Sequence, residues 1–333
     1  MAGFRRLLDE PDSSASQGSV PYWDSAGDIA RLAPGSSGDV LTSQGAAADP
    51  IFAAPSSALD IDGLTAGNIT VPYTDTVPVY VASVGANRKW TPDMFVPRGY
   101  HFGLTLSNGA GDPTNDITIA AGIARDASDT TTLRLTGPIT KRLDAAWAVG
   151  DNNGGLDTGS IANDVYHMWL IMRSDTGVVD VLFSNSATSP TLPASYDYKR
   201  RIGAIIRASG AILLFTQVSH HFVLSANVLD ANVTNLGASR TLYTITVPDG
   251  VKVWADVRII CPTATESVYA TSPDQADESV SSANGRVTVQ GGTGESQERM
   301  VRTNTSGQIG LRGNGANTDA RIGTYGWWDW MED

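Results

Sequence analysis

The chain has 333 residues, a formal net charge of −12, 17% charged residues, 34 Gly and a single Cys. Glu occurs only six times and Lys four times, so residues that build exposed helix faces are scarce, which disfavours helical bundles, coiled coils and regular α/β enzymes. One Cys excludes an intrachain disulfide, the lack of a basic cluster disfavours nucleic-acid binding, and no run of about 18 apolar residues is present to predict membrane insertion. The composition favours an all-β, turn-rich protein.

Residues 1–60 are predicted to form an anchoring segment and linker. Phe4, Leu7 and Leu8 have the i, i+3, i+4 spacing of one helix face, and Pro11 ends any helix there. This pattern fits a short anchor that docks on a partner protein, and it also fits a frayed terminus.

Short strands are predicted along the next part of the chain, and 61–98 is predicted to be a short β shaft. The strands are predicted within 20–32 on both sides of a turn at 25–27, at 39–42, at 77–82 and at 88–91. Residues 45–55 are predicted to be an extension rich in Ala and Pro. Segments this short are not stable alone, so the shaft is expected to gain order by pairing with other copies or with a host surface.

Longer strands begin near residue 99, and two β-sandwich modules are predicted, 99–225 and 226–333. Strands of the first are predicted at 100–106, 116–120, 131–135, 164–172, 178–183, 201–206 and 211–217. Strands of the second are predicted at 242–247, 251–260, 267–270, 286–289, 300–302, 308–312 and 321–325. Two hairpins stand out, one around a turn at 174–177 and one around the turn at 248–250. No capped helical pattern of ten or more residues is present.

One loop, 151–157, is rich in oxygen ligands and has the look of a calcium loop. Gly155 and Ala162, however, occupy positions at which an EF-hand loop requires ligands. A tight connection between strands is therefore favoured over a metal site.

The four histidines are weighed as metal ligands and disfavoured. His220 and His221 are adjacent, so in a strand they point to opposite faces. A three-ligand site would need His101 or His167 nearby. Structural or surface roles are favoured, and no metal or cofactor is predicted.

No catalytic residues are predicted. A glycosidase would need two carboxylates about 5–9.5 Å apart, but among 35 acidic residues this criterion selects no pair. Neither a Gly-x-Ser-x-Gly elbow nor a phosphate-binding loop is present. The chain is predicted not to be an enzyme, with a capsule-degrading glycosidase as the less favoured alternative.

The densest aromatic cluster lies near the C-terminus. Tyr325, Trp327, Trp328 and Asp329 are candidates for glycan binding, since indole faces stack on sugars and a carboxylate accepts hydroxyl hydrogen bonds. The alternative is that Trp328 and Trp330 fill the core while Trp327 covers a contact between subunits. Four further residues in or beside apolar strands are predicted to be core: Trp147, Trp169, Trp254 and Cys261.

Several stretches resemble tail-fibre-type virion proteins of tailed bacteriophages and prophages. Residues 27–50 resemble their linker, and 75–90, including Val77-Pro-Val-Tyr-Val-Ala82, are similar to their shaft repeat. The stretch 175–193 with Tyr198-Lys-Arg-Arg-Ile-Gly203 resembles a sandwich module of these proteins. The stretches 271–277, 301–307 and Thr324-Tyr-Gly-Trp327 resemble the C-terminal module of these proteins.

The resemblance implies an appendage on the virion exterior, commonly a homotrimer, made in the host cytoplasm, with its N-terminus on the particle and its C-terminus outward. It implies no catalytic residues. The expected partners are other virion proteins, contacted through the N-terminus, and host cell-surface polysaccharide, bound weakly at each site and tightly by multivalency. The alternative is a purely structural head, collar or neck fibre.

Overall fold

The computed structural model contains two compact units, Met1–Trp90 and Thr91–Asp333. The residues that it describes are 17–24, 26–45, 48–54, 96–292 and 295–331, with the backbone of 77–81 and 86–90. The predicted anchor residues Phe4, Leu7 and Leu8 lie outside this part of the chain. Regular structure in the described residues consists of strands and one short 3-10 turn, Ser282–Asn284, which confirms the all-β class.

The described residues of the first unit form three antiparallel hairpins. They are β1 (Val20–Trp23) with β2 (Ile29–Leu32), β3 (Val40–Thr42) with β4 (Ile51–Ala53), and β5 (Val77–Val81) with β6 (Ala86–Trp90). The β1–β2 turn is stabilised by Asp24, whose carboxylate accepts the N–H groups of Ala26 and Asp28 at 3.0 and 2.9 Å. Gly27 has φ +83°, a conformation that glycine adopts at little cost. The strands within 20–32 are thus confirmed, whereas β4 was missed inside the Ala- and Pro-rich extension.

The described strands of the second unit form four sheets. The three-stranded sheet has the order β11-β10-β7, from β7 (His101–Gly103), β10 (Gly122–Arg125) and β11 (Thr132–Leu135). The eight-stranded sheet has the order β17-β16-β14-β15-β13-β12-β9-β8, from β8 (Leu106–Asn108), β9 (Asp116–Ile119), β12 (Ile139–Ala146), β13 (Asn153–Leu156), β14 (Val165–Arg173), β15 (Val179–Ser184), β16 (Tyr196–Ala208) and β17 (Ala211–Ile212). The five-stranded sheet has the order β18-β19-β26-β21-β24, from β18 (Phe215–Val218), β19 (His221–Leu236), β21 (Trp254–Ile260), β24 (Ser296–Arg302) and β26 (Thr318–Trp328). The four-stranded sheet has the order β20-β25-β22-β23, from β20 (Thr241–Thr244), β22 (Ser267–Thr271), β23 (Val289–Gln290) and β25 (Gln308–Gly313).

Strand β14 is buried on both faces. Met168 and Leu170 face a large hydrophobic core, while Trp169 and Ile171 face a smaller cluster on the other side. An almost continuous apolar run is the sequence pattern typical of such a strand. The predicted hairpin of β14 with β15 is confirmed by their antiparallel register.

The large core joins side chains from all four sheets, with Leu133 contributed by the three-stranded sheet. It includes Leu106 and Ile205 of the eight-stranded sheet, Val257 of the five-stranded sheet and Ile309 of the four-stranded sheet. The division predicted between residues 225 and 226 falls inside β19. One shared core therefore covers both sides of that position.

The hairpin predicted around residues 248–250 is wrong. Strand β20 pairs with β25, and β21 pairs with β24 and β26, so the two flanking strands belong to different sheets. Each strand turns one face toward the same core, with Val247 and Val253 buried between them. A turn from sheet to sheet and a hairpin turn therefore leave the same alternation in the sequence.

The five-stranded sheet has one face on the core and one face outward. On β21 the residues Ala255, Val257 and Ile259 are buried, and the alternate positions Trp254, Asp256 and Arg258 are exposed or half-exposed. This outward face carries the aromatic residues considered next.

Candidate functional site

Two of the four candidate glycan-binding residues are buried. Trp327 is 1% exposed and stacks on Phe222, with ring centroids 5.2 Å apart and planes at 7°. Asp329 is 2% exposed and accepts two hydrogen bonds from the Arg201 guanidinium, at 2.6 and 2.7 Å. Trp327 belongs to the core and Asp329 to a buried ion pair, so neither side chain is placed to contact a ligand at the surface.

The other two candidates lie on the outer side of the five-stranded sheet. Trp328 stacks on His221, with centroids 4.4 Å apart and planes at 8°. Tyr325 lies beneath the Arg258 guanidinium, 5.0 Å from ring centroid to the central carbon. Alternation places Trp328 opposite to Trp327, which takes the core side. Tyr325 has the parity of Trp327, and its outward position coincides with a β-bulge, where the register of β26 with β21 shifts between Asp256 and Val257.

The alternative prediction, that Trp328 and Trp330 fill the core, also differs from the structure. Trp330, expected in the core, is 49% exposed and lies 6.0 Å from Trp328, centroid to centroid. Trp254, predicted to be core, is 41% exposed. Of the other predicted core residues, Trp169 and Cys261 are buried, and Trp147 packs against the smaller cluster.

Three aromatic rings line up across three neighbouring strands. The register pairs Trp254 of β21 with Trp328 of β26, and Trp328 with His221 of β19. We call Trp254, Trp328 and His221 the outer aromatic row. Side chains of directly paired residues on one sheet face lie about 5 Å apart, so the three rings adjoin on the outer face of the sheet. Trp328 and His221 cover one face of each other, and the indole of Trp254 is the exposed ring of the row.

A cleft of about 350 Å³ opens at the Trp254 end of this row. Its walls are Trp254, residues 300–302 of the edge strand β24, and residues at the end of β22 and just after it, namely Ala270, Thr271, Ser272, Asp274 and Gln275. Trp254 and Arg302 are paired across β21 and β24. The volume lies at the low end of the range of ligand pockets, about 300–1,000 Å³.

The charges at the cleft converge on Asp274. Lys252 Nζ donates to both of its carboxylate oxygens, at 2.9 and 2.8 Å, and an Arg302 terminal nitrogen lies 3.6 Å from one of them. The Lys252 hydrogen bonds, with the charges of Lys252 and Arg302, hold the pKa of Asp274 below its usual range although partial desolvation opposes them. Two cations therefore share one carboxylate beside an exposed indole.

A second cleft, of about 360 Å³, lies where the ends of β14 and β16 meet residues 244–249. Asp164, Arg207 and Asp249 are on its rim, and none of its described lining residues is aromatic. Burial raises the pKa of Asp249, and the charge of Asp164 adds to that rise. Without a ring to stack on, this cleft is a weaker candidate for sugar binding than the one at Trp254.

The carboxylates of the oxygen-rich loop 151–157 accept hydrogen bonds from backbone N–H groups. Asp151 accepts the N–H of Thr140 at 2.7 Å, and Asp157 accepts the N–H groups of Thr158 and Thr191 at 2.7 and 2.9 Å. Across the described residues, no group of three His, Cys, Asp or Glu side chains is arranged to bind a metal ion.

Arg201 and Asp329 belong to a buried polar cluster with histidines. His167 is fully buried, and neither of its ring nitrogens makes a hydrogen bond of normal geometry in the described structure, although the Asp249 backbone lies close enough to favour the charged form. Burial lowers its pKa to about 4; the charge of Arg201 acts in the same direction, and Asp329 opposes both. His101 has its pKa lowered to about 4 for similar reasons, with His220 and Arg200 as its charged neighbours.

We expect the free energy of unfolding to fall as the pH drops from about 6.5 to about 4, because the unfolded chain binds a proton on His167 before the folded chain does. At pH 5 the loss attributable to His167 is about 2 kcal/mol. Urea unfolding of the full chain at pH 7.5, 6 and 5 measures it. His167→Gln removes this titration, so its unfolding free energy should depend less steeply on pH whatever its value at pH 7.5; an unchanged slope would contradict the assignment.

The sequence analysis missed Trp254, Lys252, Asp274 and Arg302 as site residues. A signal for Trp254 was present, since it shares strand parity with Asp256 and Arg258, whereas Val253, Ala255, Val257 and Ile259 form the apolar set. Asp274 follows β22 of the four-stranded sheet, whereas Trp254 begins β21 of the five-stranded sheet. No pattern in the sequence therefore placed these two residues side by side.

No protein-family model matches the chain, and the comparison with curated proteins found no match. Among the described residues, no helix is long and apolar enough to cross a membrane.

Proposed function

We propose that the chain is a tail-fibre-type virion protein of a tailed bacteriophage that binds host-surface glycan without catalysis. The observation that carries the binding proposal is the outer aromatic row, which lies on an outward sheet face and ends at the cleft beside Trp254. An exposed indole with polar groups beside it, as at Trp254, suits a pyranose ring, whose apolar face stacks while its hydroxyls hydrogen-bond. The phage setting rests on the resemblance of the shaft and module sequences.

We further propose that the chain assembles as a homotrimer that attaches to the particle through its N-terminal region. Its β modules, which we propose to be β-sandwiches, are displayed outward. In support, β18 pairs with β19 only at His221–Leu224, and no described strand pairs with that edge of β19 beyond it. Leu229 on this stretch is exposed. A free strand edge with an exposed apolar side chain is a surface that proteins usually cover, and another copy of the chain would do so.

Trp254→Ala and Trp328→Ala are each expected to weaken glycan binding about tenfold, which corresponds to about 1.4 kcal/mol of lost contact. The measurement is binding of the full chain to an array of bacterial surface polysaccharides. Phe102→Ala is the matched control, since Phe102 is an exposed aromatic residue on a different sheet, the three-stranded one.

The same preparations separate the alternatives. Binding to no polysaccharide, together with failure to block phage adsorption at micromolar concentration, would contradict the binding proposal and favour a purely structural fibre. Shortened polysaccharide chains after incubation would favour a glycosidase. A monomeric mass in sedimentation would contradict the trimer.

A further inference from the structure

The cleft at Trp254 carries a local excess of positive charge on a chain whose net charge is −12. Lys252 and Arg302 face one carboxylate, Asp274, and the two cations do not share it equally. Lys252 donates hydrogen bonds to both carboxylate oxygens, whereas Arg302 stays 3.6 Å away, beyond hydrogen-bond distance.

Arg302 is therefore the group at this cleft with unused binding capacity. Its side chain is about half exposed, and no hydrogen bond from its guanidinium to another described residue is present beside the long contact with Asp274. Its strand neighbour across the sheet is Trp254. A guanidinium presents parallel N–H donors that match a planar carboxylate, so Arg302 can bind a ligand carboxylate through two hydrogen bonds.

We infer that this cleft binds a carboxylated pyranose, with the sugar ring on the Trp254 indole and its carboxylate on Arg302. The inference rests on the proposed glycan binding and specifies its chemistry. A neutral sugar would use the indole alone and would leave the guanidinium unpaired. An acidic sugar uses both, because ring and charge lie on the same face of neighbouring strands.

A substitution at Asp274 is expected to strengthen ligand binding, whereas the other substitutions in the cleft are expected to weaken it. Asp274 occupies Lys252 and attracts Arg302, so its negative charge opposes an incoming carboxylate. Asp274→Asn keeps the shape of the side chain, removes that charge and leaves both cations for the ligand. Binding of an acidic sugar should then become tighter, whereas a merely disrupted cleft would bind it more weakly.

The test uses the full chain and the polysaccharide array, with each acidic polysaccharide also present after chemical reduction of its carboxyl groups to alcohols. We expect bound polysaccharides to be uronate-containing or otherwise carboxylated, and binding to fall about tenfold or more after reduction. Arg302→Gln should cause a similar loss on the native polysaccharides and no further loss on the reduced ones. Asp274→Asn should strengthen binding of the native ones only.

The outcomes distinguish this inference from the proposal beneath it. Binding that is equal before and after carboxyl reduction, or that is confined to neutral or phosphorylated polysaccharides, overturns the carboxylate assignment while glycan binding stands. Weaker binding by Asp274→Asn also overturns it. Binding to no polysaccharide contradicts the proposed function itself.

Discussion

Asp329→Asn is expected to lower the free energy of unfolding by about 3–5 kcal/mol, because it leaves the Arg201 guanidinium buried without its counter-ion. Both side chains are almost fully buried and joined by two hydrogen bonds. Burial alone would raise the pKa of Asp329, but the charge and hydrogen bonds of Arg201 outweigh it and keep the pKa below its usual range. The carboxylate also accepts the Met331 N–H at 3.1 Å, and Arg200 donates to the Met331 carbonyl at 2.6 Å.

The matched control is Asp175→Asn. Arg173 and Asp175 form the same two-hydrogen-bond pair at 2.8 and 2.6 Å, but in an exposed turn. Because water screens exposed pairs, this substitution should cost only a small fraction of the loss at Asp329. Urea unfolding of both variants at pH 7.5 measures the difference. If both variants lost the same free energy of unfolding, burial would not be the reason for the large effect expected at Asp329.

A double variant separates pairing from packing. Arg201→Met with Asp329→Leu removes both charges together, and apolar replacements of buried ion pairs are often tolerated. We expect it to be more stable than Asp329→Asn alone. A double variant that is less stable than the single one would mean that the pair acts chiefly by positioning the C-terminal segment.

Trp327→Ala is expected to destabilise the chain by about 3–5 kcal/mol, because it opens a cavity in the core beside Phe222. Trp328→Ala, one residue away, should cost about 1 kcal/mol or less, since its ring lies on the outer face. Glycan binding should show the reverse order, with the direct effect at Trp328. Trp328→Ala weakens it with the fold intact, whereas Trp327→Ala acts only through stability.

Trp327→Phe gives a finer measurement at the same position. The indole N–H of Trp327 is buried without a hydrogen-bond partner in the described residues, and an unpaired buried donor is costly. Phe keeps an aromatic ring against Phe222 and removes that donor, so the loss should be much smaller than for Ala. A Phe variant as unstable as the Ala variant would show that the full indole volume is required.

Strand positions and facing could be predicted in much of the second unit because both are local properties. The apolar run of β14 and the turn at residues 174–177 were enough to predict the hairpin with β15, which is confirmed. The same parity argument, applied to Trp254 beside Asp256 and Arg258, would have placed that indole outward. Assigning Trp254 to the core, together with Trp147 and Trp169, overrode a signal that the sequence contained.

Partners separated along the chain could not be predicted. Lys199, Arg200 and Arg201 form the sole basic triplet of the sequence, yet Arg200 and Arg201 are buried in β16 and Arg201 pairs with a carboxylate 128 residues away. Charge content alone does not distinguish a solvated cluster from a buried ion pair. That distinction depends on which element covers the strand.

The sequence by itself determined the class of the protein: few Glu and Lys, many turn residues and alternating apolar positions specify strands, since alternation is a property of each strand's own backbone. Only the tertiary structure decided which sheet each strand joins, that β20 and β21 separate, and that Trp254, Arg302 and Asp274 form one cleft. The physical reason is that a strand shows the same alternation whichever partner it pairs with. The partner is chosen by packing of the whole core, to which residues far apart in the chain contribute together.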